Sequence, residues 1–144
     1  MTDFKNILVA VDVSNEAEFV MRKAKYIAER FDSNLTIIHV VEPVVLDYTV
    51  DLVPSFNADI EESLIERANL FVKQSMENLN LNGAECKVLV GSTKHEIHRE
   101  AREANMDLIV IGTHGRHGLS LLLGATASAV LHGTPCDVLT VKIS

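Results

Sequence analysis

The 144-residue chain reads as an α/β protein: one domain, residues 1–144, built on a five-stranded parallel open sheet of order 3-2-1-4-5 with helices on both faces. Three observations predict this. Five short runs rich in β-branched residues and leucine recur, three of them apolar almost throughout, as suits strands covered on both faces. The stretches between them carry apolar residues at three- and four-residue steps, the mark of one buried helix face. The two patterns alternate along the whole chain, which implies right-handed crossovers and parallel pairing.

The strands are expected at residues 6–12, 35–41, 85–90, 108–112 and 137–142. A first helix, residues 14–31, buries Ala17, Val20, Met21, Ala24, Ile27, Ala28 and Phe31, with Ser14 or Asn15 as its cap and Glu18 three residues after Asn15 as in a capping box. A second runs from about Asn57 to Leu79 on Ile60, Leu64, Ala68, Phe71 and Val72, and its opposite face is charged. A third opens on Thr93-Lys94-His95-Glu96, another capping-box pattern, and buries Ile97, Ala101 and Ala104. The fourth spans about 120–132 and stops before Gly133 and Pro135. Residues 42–56, with Pro43 and Pro54 among apolar side chains, form a connection long enough to act as a flap.

Composition narrows the function. Thirteen basic against twenty acidic residues give a net charge of −7, which disfavours nucleic acid and anionic membrane surfaces as partners. No run of about 20 apolar residues is present to span a bilayer, and the N-terminus lacks a secretory pattern. A cytoplasmic location is expected. Cys86 and Cys136 belong to no CxxC or zinc spacing and are expected as buried thiols. In the deduced strand order they lie at opposite edges, about 19 Å apart, too far for a disulfide.

In a sheet of this order the chain reverses direction between strands one and four, so their carboxyl ends open a ligand crevice. Those ends carry Asp12 and Gly112. Gly112-Thr113-His114-Gly115 and then Gly124-Ala125-Thr126 lie between strand four and helix four, where glycine backbone and a helix N-terminus suit phosphate. The run is neither a Walker A sequence nor GxGxxG, and the same glycines also suit a tight connection. Asp12 suits a ribose hydroxyl and suits the start of the following helix equally.

His95 and His98 lie one turn apart and His114 and His117 share a loop, but neither pair has further ligands at metal spacing. His39 and His132 read as structural or surface residues. No nucleophile, base and orienting group can be identified, so no catalytic residue is named and fast turnover is not expected.

The runs Ile7-Leu8-Val9-Ala10-Val11-Asp12-Val13-Ser14, His39-Val40, Asp107-Leu108-Ile109-Val110-Ile111-Gly112-Thr113-His114-Gly115 and Pro135-Cys136-Asp137-Val138-Leu139-Thr140-Val141 together resemble the universal stress protein family. The resemblance spans nearly the whole chain. It implies a Rossmann-like sheet of the adenine nucleotide alpha hydrolase kind, in a cytoplasmic stress-response protein that dimerises through the last strand, Asp137 to Lys142. In the family's ATP-binding branch, residues matching Asp12 and Val40 contact the nucleoside. Those matching Gly112, Gly115, Gly124, Ala125 and Thr126 hold the phosphates, with Mg or Mn as the accompanying ion. Here eight residues separate Gly115 from Gly124 where that branch has nine, and Ala125 stands where it has a hydroxyl residue, Thr126 following. Two readings stand: an ATP-binding module whose hydrolysis is at most slow, and a dimeric protein-interaction module that takes no nucleotide.

Overall fold

The computed structural model describes residues 3–43, 54–113 and 124–143, the first four of the second group by their backbone alone. Five parallel strands, β1 (Asn6–Ala10), β2 (Asn34–Val41), β3 (Glu85–Val90), β4 (Leu108–Gly112) and β5 (Asp137–Val141), form one sheet in the order β3-β2-β1-β4-β5. Helices α1 (Ala17–Phe31) and α2 (Pro54–Asn78) cover one face, and α3 (Thr93–Glu103) and α4 (Ala125–Leu131) the other.

The central strands β1 and β4 are apolar almost throughout because both of their faces are covered. Alternate residues of β1 point to opposite helix layers: Ile7 and Val9 pack with Val20, Met21 and Val72, while Leu8 and Ala10 pack with Ile97, Ala127 and Val130. At the amino edge, Asp107 accepts hydrogen bonds from the Lys5 and Asn6 amides at 2.9 and 2.8 Å, fixing β1 against the entry to β4.

Several element ends differ from expectation. Strand β1 stops at Ala10, so Asp12 lies in the turn beyond it, and β5 stops at Val141. Helix α1 begins at Ala17 without a side-chain cap; Ser14 bonds instead to the Asp12 carboxylate, so the Asn15–Glu18 box does not form. Helix α2 starts at Pro54, three residues early, since proline's fixed φ and missing N–H suit a first helical position. Helix α3 is preceded by Ser92, not capped by Thr93. Helix α4 starts at Ala125 after an extended Gly124; residues 120–123 and most of the proposed flap lie outside the described residues.

Phe31, on the buried stripe of α1 by period, is nonetheless 44% exposed, with its ring edge-on to Phe4 at 5.3 Å. Both cysteines are free but half-buried, not enclosed. Burial still pushes each thiol pKa upward, helped at Cys136 by Asp137 and Asp107 and opposed at Cys86 by Lys73.

Candidate functional site

The carboxyl ends of β1, β2 and β4 open into a cavity of about 380 Å³. Its position follows from the strand order, because β1 sends its connection to one side of the sheet and β4 to the other. Asp12, Val40, Gly112, Gly124, Ala125 and Thr126 all line it. Gly115 lies outside the described residues.

The floor is apolar: Ala10, Ile38, Val40, Ile97 and Ile111 reach it from the strands and α3. Polar groups sit at its rim. The Ser14 hydroxyl donates to Asp12 Oδ1, which fixes that carboxylate beside the start of α1. The His39 Nδ1–H donates to the Val11 carbonyl at 2.7 Å, since a carbonyl can only accept. The Val11 amide bonds the Ile38 carbonyl at 3.0 Å, so the turn that carries Asp12 is held to β2 twice.

The opposite wall is the first turn of α4. The Gly124 amide donates to the Thr113 carbonyl at 2.5 Å, and the Thr113 amide donates to Val141 at 2.9 Å. The Thr113 hydroxyl accepts from Ile143 at 3.1 Å. The wall is therefore tied to the ends of β4 and β5. Behind it, the buried His98 of α3 donates through Nε2 to the Val130 carbonyl of α4 at 2.7 Å. Ala125 and Thr126 both line the cavity; Thr126 carries a hydroxyl and Ala125 has none.

The third side involves α3. Glu42, just past β2, accepts from the Thr93 hydroxyl at 2.8 Å and from the Thr93 amide at 3.4 Å, and Thr93 lines the cavity. This contact spans 51 residues, and no local capping pattern reveals it. Glu96, expected to bond back to the start of α3, pairs with Arg99. His39, Glu16 and Thr93 are lining residues that motif reading did not select.

His95 is exposed while His98 is committed to Val130, so that pair does not converge. Among the described residues, no group of three or more His, Cys, Asp or Glu side chains is placed to hold a metal. Nor is any described helix long and apolar enough to cross a membrane.

The fold and crevice define a doubly wound α/β protein with a ligand-sized cavity at its switch point. The chain belongs to the family described as Universal stress protein family, which matches residues 3–142. Universal stress protein A homolog 2 of Coxiella burnetii is 38% identical, over 99% of this chain and 98% of its own length. The universal stress protein UspA from Lactobacillus plantarum superposes with a TM-score of 0.84 at 26% identity, covering 98% of this chain and 99% of that one. A universal stress protein from Archaeoglobus fulgidus, in complex with dAMP, shares the fold with a TM-score of 0.63 at 22% identity, over 98% of this chain and 100% of that one.

Proposed function

We propose that this protein is a cytoplasmic stress-response module that binds an adenine nucleotide, ATP, in the crevice at the ends of β1 and β4. The observation that carries the reading is that Asp12, Val40, Gly112, Gly124, Ala125 and Thr126, which lie far apart in sequence, line one cavity of about 380 Å³. That a family member of the same fold is a dAMP complex agrees with an adenine nucleotide as the ligand class.

The donor set suits such a ligand. Val40, Ile38 and Ile111 offer apolar surface to a purine, and the oriented Asp12 carboxylate offers an acceptor to ribose hydroxyls. Backbone at Gly112 and the first turn of α4, together with the Thr126 hydroxyl, faces the side where phosphates would extend. Gly115 belongs to the same proposed phosphate site. ATP supplies the transferable phosphate and the charge that partners could sense. Asp12 and Glu16 are the carboxylates in the described lining, so a Mg or Mn ion would be held chiefly by phosphate oxygens and water.

Titration calorimetry of nucleotide-free protein with Mg-ATP tests the reading. Saturable heat below millimolar ligand is expected, and none up to millimolar ligand overturns it. A homodimer through the last strand, Asp137 to Lys142, belongs to the same proposal. Among the described strands β5 pairs only with β4, leaving a row of backbone groups that a twin strand would satisfy. Light scattering that finds only monomer at tens of micromolar would contradict the dimer.

A further inference from the structure

Helices α1 and α2 share one layer, and their outward faces carry opposite charge. At about 100° per residue, Phe19, Arg22, Tyr26 and Arg30 fall within about 40° of one line along α1, and all four are exposed. Arg30 is pre-positioned there: its guanidinium bonds the Tyr26 hydroxyl at 2.7 Å and lies 5.0 Å from the ring centre. The nearest anion, Glu29, lies about 60° round the helix and faces Lys25 at 3.8 Å.

The corresponding line on α2 holds Asp59, Glu66, Leu70 and Glu77, all exposed. Lys73 lies about 40° to one side of this line and Arg67 about 80° to the other. Leu70 is 72% exposed, against 56% for Tyr26 and 47% for Phe19. These three are half of the large apolar side chains left exposed among the described residues, gathered on one layer of a chain whose net charge is −7. Scattered exposed apolar residues are ordinary, but ones aligned with net positive charge on one helix and net negative charge on its neighbour are not.

We infer that this layer is a self-complementary interface for a second copy of the chain, with the cationic aromatic line of α1 seated on the acidic line of the partner's α2. A two-fold axis satisfies both helices at once, because α1 meets α2 and α2 meets α1. Leu70 would then be covered by the aromatic rings of the α1 line. Two molecules of net charge −7 repel at long range. Local complementarity of this kind is what lets them associate. The contact uses none of the backbone edge of β5 and is independent of nucleotide.

Sedimentation velocity across a concentration series tests it with the full-length chain. Arg22→Glu/Arg30→Glu gives two acidic lines, and Glu66→Arg/Glu77→Arg gives two basic ones. Each variant alone should lose a self-associated species seen in the wild type, by at least about tenfold in the association constant, as expected when like charges are juxtaposed. Their equimolar mixture should regain it, which also shows that both variants are folded. Identical association in the wild type and both variants assigns the contact to the β5 edge and overturns the inference. Loss without regain on mixing also overturns it. So does a wild type that never associates through these residues, which would leave the α1 line to an unrelated acidic partner.

Discussion

Glu42 reaches across from the end of β2 to accept the Thr93 hydroxyl at 2.8 Å, so the start of α3 is capped by a residue 51 positions away. This contact ties one wall of the crevice to another. Glu42→Ala should lower stability by about 1 kcal/mol, the usual worth of a helix cap. Any nucleotide bound should also be held less tightly, because Thr93 lines the cavity. Urea unfolding and calorimetry on the same variant separate the two effects.

Asp12 is a carboxylate that lines the cavity, and Ser14 bonds to it. Asp12→Ala should weaken Mg-ATP binding about 10- to 100-fold, the range for hydrogen bonds to a charged group. Midpoints of urea unfolding should move little, because the residue is only half-buried. Affinity unchanged in this variant would remove Asp12 from the site.

Thr126 carries a hydroxyl where it lines the cavity, and Ala125 has none. Thr126→Ala should weaken nucleotide binding by about 1 kcal/mol, and Ala125→Ser in that background should recover part of it. Competition with a fluorescent ATP analogue reports both constants.

Stability should fall at alkaline pH. The Lys87 ammonium donates to the buried Glu100 carboxylate at 2.5 Å, and this hydrogen bond raises the lysine pKa. A raised lysine contributes stability that is complete below its ordinary value of about 10.5 and is lost as pH climbs through the higher folded value. Cys86 and Cys136, also raised, act in the same direction from about pH 9 upward, because the unfolded thiols ionise first. Thermal melts from pH 8 to 11 should show this decline, and Cys86→Ser/Cys136→Ser should remove its early part. Lys87→Ala should cost about 1–2 kcal/mol at pH 7, discounted because the lysine is 35% open to solvent.

His98 is buried in α3 and bonded to α4. His98→Leu leaves the Val130 carbonyl without this donor, so a loss of about 1–3 kcal/mol is expected. Hydrogen exchange should localise the loosening to α4.

Strand order and the crevice were legible because they follow from alternation: apolar runs such as 108–112 and helix stripes such as Ala17 to Ala28 leave few ways to build a sheet. Six of the seventeen lining residues, Asp12 and Gly124 among them, were legible from the strand ends and the family resemblance. Helix ends were not, since their caps depend on tertiary contacts. Thr93 looks like a cap in sequence, yet the stabilising group is Glu42. Asn15 and Glu18 have capping-box spacing, but Asp12 draws Ser14 into a different turn and α1 starts later. Phe31 fits the buried stripe by period, but it falls at the last helical residue, where the sheet no longer covers it.

The bond from Gly124 to Thr113 joins the two sides of the gap between β4 and α4. The entropy of closing a chain between two clasped ends rises only slowly with its length, by about 0.6 kcal/mol for each doubling. A residue gained or lost between Gly115 and Gly124 should therefore leave the Gly124–Thr113 bond in place. Here sequence spacing is a poor ruler of geometry, and a one-residue insertion in that segment should leave the melting temperature almost unmoved.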